Sequence, residues 1–205
     1  MKQLISILGS TGSIGLTCLK IIDKEKKKLK PYFFSANKNY KLICNQIKKY
    51  KPKIFLVQNE KIFIKVKKKF KNNKIKIINQ LQSKHLKQIS HITVSSIPGI
   101  AGLSPTLFMI KKSKKILIAN KESIICGWNL LKKYSLKYKT KLIPVDSEHY
   151  SIFKLLEGSN LKNVDKIYIT ASGGPFLGLN FKKLNKIKPH QALKHPKWKM
   201  GKKIT

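Results

Sequence analysis

Two carboxylates lie one residue apart in the segment PVDSEHYSIF, residues 144–153, of a chain with 45 basic and 8 acidic side chains. Asp146 and Glu148 follow the apolar stretch KLIPV (141–145), which places them at the carboxyl end of a predicted strand. Residues two apart in an extended segment point to the same side, so both carboxylates could hold one hard cation such as Mg2+ or Mn2+. The alternative is a helix N-cap, in which Asp146 or Ser147 caps the helix that follows.

A glycine-rich turn, GSTGSIG at residues 9–15, follows the apolar run LISIL and precedes a helical pattern. Glycines at a strand-to-helix turn let the backbone approach a pyrophosphate, and the helix N-terminus supplies free N–H groups. The spacing is G-x-x-G-x-x-G and not G-x-G-x-x-G, so a merely tight turn is the alternative. After the second predicted strand the chain has Lys38 and no carboxylate, which favours NADPH over NADH unless Lys38 is one more surface lysine.

Two later segments combine polar groups with glycine or proline. In ASGGPF (171–176), Ser172 stands beside two glycines at the end of a predicted strand and could bind phosphate. The segment HPKWKMG (195–201) offers a histidine and a large aromatic ring in a stretch with little periodicity, which is typical of a loop over a site. A plain surface loop with a solvated histidine is the alternative.

Short apolar runs alternate with longer lysine-rich segments, the pattern of strands alternating with helices. Parallel strands need such crossover connections, so we predict an α/β fold with a doubly wound, mostly parallel sheet covered on both faces. We place a domain boundary near residue 140, between a dinucleotide-binding domain (1–140) and the first part of a catalytic domain (141–205). The predicted strands are 4–8, 32–36, 53–57, 74–78, 91–96 and 115–119, followed by a further pair at 141–145 and 166–172.

The formal net charge of +37 would suit a nucleic-acid partner, because clustered cations release phosphate counterions. However, every basic residue is lysine, whereas phosphate and base recognition favours arginine. Lysine, isoleucine and asparagine all have A/T-rich codons, so codon bias explains the charge without a dedicated nucleic-acid partner. Three cysteines without metal or redox spacing suggest a reducing cytosol, and no apolar run is long enough to span a membrane, so we expect a soluble protein.

Taken together and in this order, GSTGSIG, ANKES, PVDSEHYSIF, SGGPF and HPKWKMGKKIT resemble the 1-deoxy-D-xylulose 5-phosphate reductoisomerases of the non-mevalonate isoprenoid pathway. The resemblance covers essentially the whole chain. It implies a Rossmann-like NADPH-binding domain and a two-stage reaction, in which the sugar phosphate rearranges to an aldehyde that NADPH reduces to 2-C-methyl-D-erythritol 4-phosphate. It also implies a divalent metal, Mg2+ or Mn2+, that chelates two substrate oxygens as a Lewis acid.

The same resemblance assigns roles to individual residues. The residues implied to bind the cofactor phosphates are Thr11, Gly12, Ser13 and Ile14, and those near the 2'-phosphate are Asn37, Lys38 and Asn39. Asn120 and Glu122 are also implied to contact the cofactor, and Gly201 to lie near the nicotinamide. Asp146 and Glu148 match the metal ligands. Those implied for substrate and catalysis are Lys121, Ser147, Glu148, Ser172 and His195, with Trp198 and Met200 in a flap over the ligand. Asn37 stands where relatives often have glycine or another small residue.

The family pattern continues past residue 205 with a third metal carboxylate and an Asn-Lys pair for the phosphate. We therefore expect an N-terminal fragment that binds NADPH but does not turn over alone. The family also suggests a homodimer, and the absence of a transit peptide favours the cytoplasm. The rival hypotheses are another metal-assisted NADP-dependent oxidoreductase and a basic nucleic-acid-binding protein on a relict NADP-binding scaffold.

Overall fold

Seven parallel strands form one sheet in the structure, a computed structural model that describes residues 1–170 and 173–194. The strands are β1 (Gln3–Leu8), β2 (Leu29–Ala36), β3 (Ile54–Val57), β4 (Lys76–Ile78), β5 (Ser90–Ser95), β6 (Ser113–Ile118) and β7 (Lys141–Pro144). Their order across the sheet is β4-β3-β2-β1-β5-β6-β7, and every neighbouring pair is parallel. The predicted α/β fold with a parallel sheet is confirmed.

Helices connect the strands of the sheet and cover both its faces, and two further helices follow the last strand. They are α1 (Ser13–Lys24), α2 (Tyr40–Tyr50), α3 (Glu60–Lys69), α4 (Leu103–Ile110), α5 (Lys121–Tyr138), α6 (Ser147–Leu155) and α7 (Pro189–Ala192). One apolar cluster contains side chains of α1, α2 and α3, and a second contains side chains of α4 and α5. In β3 the two faces alternate strictly: Phe55 and Val57 belong to the first cluster, whereas Ile54 and Leu56 belong to the second. Strands buried on both faces are uninterrupted apolar runs for this reason.

The strand predicted at 166–172 is wrong for the residues that the structure describes. Residues 166–170 have no strand partner, and Ile167, Tyr168 and Ile169 are 52%, 82% and 64% exposed. An alternating apolar sequence forms a strand only where a neighbouring strand accepts and donates its backbone hydrogen bonds. No such neighbour is present for this segment within residues 1–170 and 173–194.

The chain forms two compact units, Met1–Phe153 and Lys154–Thr205. The first contains the whole sheet, including β7, which begins directly after the predicted boundary at 140. The described part of the second contains α7 and the 3-10 helices Leu161–Asn163, Gly174–Phe176 and Phe181–Lys186. The division into domains 1–140 and 141–205 stays a prediction. In the described part of the chain, no helix combines the length and the apolar character that crossing a membrane requires.

Candidate active site

The strand order changes direction between β1 and β5, and ligands of open parallel sheets bind outside the carboxyl ends of the strands at such a point. A cleft of about 800 Å3 lies there. Its walls come from the turn after β1, from residues that follow β2, β3 and β4, and from residues 96–98 after β5. Thr11, Gly12 and Asn37, which the sequence analysis assigned to the cofactor, line this cleft.

The glycine-rich turn brings backbone atoms closer together than side chains would allow. Gly9 has a φ of +83°, and a Cβ atom there would lie 3.0 Å from the carbonyl oxygen of Ser96. A Cβ atom on Gly15 would lie 2.7 Å from the carbonyl carbon of Ser10. The glycines therefore let α1 start directly against the end of β1, which is their role in dinucleotide-binding turns.

The N-terminus of α1 has no side-chain cap, and its first turn contains no acidic residue. Its N-cap is Gly12, and Ser13 and Ile14 are exposed in the first turn. Free N–H groups and the positive end of the helix dipole favour an anion at this position. The turn and the start of α1 therefore fit a pyrophosphate.

The residues predicted near the 2'-phosphate, Asn37, Lys38 and Asn39, are exposed at the carboxyl end of β2. The side-chain oxygen of Asn39 accepts a hydrogen bond from the backbone N–H of Leu42 at 3.1 Å, so Asn39 caps α2. A local structural role is thus established for Asn39, while the cofactor contacts of the three residues stay predictions.

Asn120 is buried, and its side chain is fully engaged in hydrogen bonds to the protein. Its amide group donates to the carbonyl oxygens of Ile97 and Gly99, the latter at 2.9 Å, and its side-chain oxygen accepts from the N–H of Ser123 at 2.8 Å. Asn120 therefore caps α5 and ties it to the loop after β5 that lines the cleft. Glu122, two residues on, is exposed.

Lys121, Asp146 and Glu148 form one charged cluster at the carboxyl ends of β6 and β7. The Nζ atom of Lys121 lies 3.5 Å from a carboxylate oxygen of Glu148. Oδ1 of Asp146 accepts hydrogen bonds from the backbone N–H of His149 at 3.1 Å and bonds its ring Nδ1 at 2.6 Å. Oδ2 of Asp146 accepts no hydrogen bond from any described residue, so it is available to a cation.

The extended backbone that we predicted for the carboxylate pair is wrong, because α6 begins at Ser147. Asp146 accepts the first hydrogen bonds of that helix, and Glu148 lies in its first turn. The two alternatives considered from the sequence are therefore compatible, since Oδ1 of Asp146 caps α6 while Oδ2 stays free. Ser147 is exposed between the two acids.

The environment of Asp146 favours its charged form. Burial alone would raise the pKa of this carboxyl, and its side chain is 11% exposed. The hydrogen bonds from the backbone and ring of His149, together with the nearby positive charge of Lys121, outweigh burial and hold the pKa of Asp146 below its usual value. An ionised carboxylate is the form that binds a metal ion.

Two carboxylates suit a magnesium or manganese ion, which commonly uses one or two protein carboxylates and fills its other positions with water or substrate oxygens. Within the described residues, no group of three acidic, histidine or cysteine side chains is close enough to hold a metal. The donor set present here therefore fits a hard ion whose remaining ligands come from elsewhere.

Several predicted site residues lie outside the described residues: Ser172, His195, Trp198, Met200 and Gly201. Sequence reasoning missed two residues that contact the site. His149 bonds Asp146, and Gln46 bonds the glycine-rich turn. The available signal for Gln46 was a polar residue on an otherwise apolar face of α2.

The fold and the cleft define a Rossmann-like α/β protein with an acidic cluster beside its ligand-binding edge. A sequence model of 1-deoxy-D-xylulose 5-phosphate reductoisomerase matches residues 5–127, and a model of the C-terminal domain of the same enzyme matches residues 142–205. The chain belongs to the 1-deoxy-D-xylulose 5-phosphate reductoisomerase family.

Relatives of the same name agree with this assignment. The reductoisomerase of Pelagibacter ubique is 50% identical over 211 residues, which cover 100% of this chain and 54% of the relative. That of Clostridium novyi is 45% identical and covers 98% of this chain and 54% of the relative. The chain thus spans about half the length of the curated relatives it matches.

Solved structures of such enzymes have the same fold. The Zymomonas mobilis reductoisomerase in complex with NADPH has a TM-score of 0.86 and 29% identity, covering 96% of this chain and 52% of that one. A reductoisomerase in complex with NADPH, fosmidomycin and magnesium also has a TM-score of 0.86, with 27% identity over 98% of this chain and 52% of that one. The Rossmann-like fold is therefore confirmed.

Proposed function

We propose that this chain supplies the NADPH site and part of the metal site of a reductoisomerase that converts 1-deoxy-D-xylulose 5-phosphate to 2-C-methyl-D-erythritol 4-phosphate. The observation that carries the proposal is the position of the Lys121, Asp146 and Glu148 cluster, which lies at the same edge of the sheet as the cleft with its glycine-rich turn. A reduction that needs both a dinucleotide and a metal requires these two features side by side.

The residues act as follows in this proposal. The N–H groups at the start of α1 bind the cofactor pyrophosphate, and Lys38 pairs with its 2'-phosphate. NADPH supplies the hydride, and the metal held by Asp146 and Glu148 supplies Lewis-acid polarisation of the substrate oxygens. Lys121 and Ser147 orient the substrate, because an ammonium and a hydroxyl can bond its oxygens next to those carboxylates.

Partners and compartment belong to the same proposal. We infer that the substrate is the sugar phosphate, that the complete protein is a homodimer and that it acts in the cytoplasm. We also infer that the lysine-rich surface has no dedicated nucleic-acid or membrane partner. The net charge of +37 favours the rival nucleic-acid-binding hypothesis and makes it worth testing in the same experiment.

The test is equilibrium binding of NADPH to the purified 205-residue chain, followed by NADPH fluorescence, alongside binding of a labelled RNA at several salt concentrations. Saturable NADPH binding that Gly12→Asp abolishes supports the proposal, because a carboxylate at the N-cap of α1 would repel the pyrophosphate. Tight, salt-sensitive RNA binding without NADPH binding would overturn it. NADPH oxidation with substrate and Mn2+, compared between the wild type and Asp146→Asn, then asks whether this chain turns over.

A further inference from the structure

Gln46 is a buried amide on a helix face that is otherwise apolar. It lies on α2, is 3% exposed, and shares the buried face with Ile43, Cys44 and Ile47. Both of its hydrogen bonds go to Ser10 in the glycine-rich turn. Ser10 Oγ donates to Gln46 Oε1 at 2.6 Å, and Gln46 Nε2 donates to the carbonyl oxygen of Ser10 at 2.9 Å. One side chain of α2 is thus bonded to both the side chain and the backbone of the turn.

Stability alone does not favour the Gln46–Ser10 pair over an apolar contact. An apolar residue at position 46 would continue the buried face of α2 without the cost of taking an amide out of water. A buried hydrogen bond adds little net stability, but its directionality fixes the two groups relative to each other. The main consequence of the pair is therefore geometric: it sets where α2 lies relative to the turn.

The two segments joined in this way are those that would contact different phosphates of one cofactor. The turn and the start of α1 face the pyrophosphate position, whereas α2 begins directly after residues 37–39, where the 2'-phosphate would bind. Gln46 lies six residues after Tyr40, the first residue of α2, which is about 9 Å along the helix axis. It is therefore a rigid connection between the turn and the start of α2.

A second set of bonds holds the turn independently of Gln46. The N–H groups of Gly9 and Ser10 donate to the carbonyl oxygen of Ser35 in β2, at 3.1 and 2.8 Å. Loss of Gln46 would leave these bonds in place, so the turn itself would keep its attachment to the sheet. The two side-chain bonds that fix the position of α2 relative to the turn would be lost.

We propose that Gln46 is a positioning residue for NADPH binding. Its bonds to Ser10 hold the glycine-rich turn and the start of α2 in a fixed relative position, which contributes to the preference for NADPH over NADH. The inference rests on the proposed function, since it requires that the cleft bind NADPH. NADH lacks the 2'-phosphate and depends on the turn, not on the start of α2. Loss of the Gln46 bonds therefore affects the binding of NADPH more than that of NADH.

The test compares the dissociation constants of NADPH and NADH for the 205-residue chain and its Gln46→Met variant, which keeps the side-chain length and removes both bonds. We expect Gln46→Met to raise the Kd for NADPH about tenfold, the effect of losing one hydrogen bond to the charged 2'-phosphate. The Kd for NADH should rise at most about threefold. Ser10→Ala removes only the hydroxyl bond, so it should raise both dissociation constants by less than Gln46→Met does. It replaces Gln46→Met in the test if that variant does not fold.

The matched control is Thr93→Val, which removes another buried hydrogen bond between side chains. Thr93 Oγ1 and Ser113 Oγ lie 2.7 Å apart in the sheet, and neither residue lines the cleft. Thr93→Val should lower the melting temperature and leave both dissociation constants unchanged. In the absence of cofactor, amide hydrogen exchange at the start of α2, in residues 40–45, should be faster in Gln46→Met than in Thr93→Val, which is a readout independent of NADPH.

The outcomes separate this inference from the proposed function. One outcome is that the wild type binds NADPH while Gln46→Met weakens the binding of both cofactors equally, or of neither. In that case the positioning role of Gln46 is overturned and the proposed function stands. If the wild type binds neither cofactor, both are overturned. A selective loss of NADPH affinity together with faster exchange at the start of α2 supports the inference.

Discussion

The Nζ atom of Lys121 lies 3.5 Å from a carboxylate oxygen of Glu148, although the two residues are 27 positions apart in the chain. Lys121 begins α5 after β6, and Glu148 lies in the first turn of α6 after β7. Because β6 and β7 are adjacent and parallel, both helices start at the same edge of the sheet. The side chains are 43% and 46% exposed, so the ion pair contributes only about 0–1 kcal/mol to stability.

Glu148→Gln should separate metal binding from stability. The variant keeps the shape of the side chain but removes a charged ligand, so we expect the affinity for Mn2+ to fall at least about tenfold. The free energy of unfolding should change by less than about 1 kcal/mol, because the ion pair with Lys121 is exposed. Electron paramagnetic resonance of free Mn2+ and urea unfolding measure the two quantities.

Asp165→Asn is the control for that experiment. It removes one negative charge at another exposed position, so the net charge of the two variants is the same. Mn2+ affinity should be unchanged in Asp165→Asn. Equal losses of affinity in the two variants would mean that Glu148 acts through the overall charge and is not a ligand.

Gly15→Ala should destabilise the chain more than Gly12→Ala does. A Cβ atom at position 15 would lie 2.7 Å from the carbonyl carbon of Ser10, whereas one at position 12 would be 3.4 Å from the carbonyl oxygen of Gly9. We expect Gly15→Ala to lower the free energy of unfolding by about 1–3 kcal/mol through overpacking. Gly12→Ala should cost about 0.5–1 kcal/mol through a poorer N-cap. Urea unfolding distinguishes them, and equal losses would contradict the close packing of α1 on the turn.

The sequence predicted the seven strands of the sheet because each contains a short apolar run bounded by polar or turn residues. The glycine-rich turn and the carboxylate pair were also predictable, since the chemistry that they suit depends on residue types close together in sequence. The strand predicted at 166–172 failed for residues 166–170 because a strand depends on a neighbour that the segment itself does not specify.

Contacts between distant residues could not be predicted in the same way. Gln46 and Ser10 are 36 residues apart, and Asn120 bonds carbonyl groups more than 20 residues before it. Periodicity identifies which face of a helix is buried, but it does not identify the acceptor that a buried amide will find. The backbone of residues 146–148 was misjudged for a related reason, because an acid before a helix serves equally as a cap and as a ligand.

Asp23 should make stability depend on pH in acid. Its Oδ2 accepts hydrogen bonds from Lys49 Nζ at 2.6 Å and Tyr50 Oη at 2.9 Å, and the bond from Lys49 is the main cause that lowers its pKa. Because the folded pKa lies below the unfolded one, about 3.9, the stabilisation is present above that value and is lost as pH falls through the folded pKa. Urea unfolding of the wild type and Asp23→Asn should differ by up to about 1 kcal/mol at neutral pH and converge in acid. A difference that widens in acid would contradict this.

Asn120→Asp should be strongly destabilising, because the new carboxylate would face two carbonyl oxygens. The amide of Asn120 donates to Ile97 and Gly99, and a buried acceptor that loses its donor costs about 1–3 kcal/mol. We expect the free energy of unfolding to fall by at least that amount and NADPH affinity to fall with it, since the same loop lines the cleft. Asn129→Asp, an exposed change on the same helix, should affect neither quantity. Normal NADPH affinity in a folded Asn120→Asp variant would mean that the loop holds its position without this side chain.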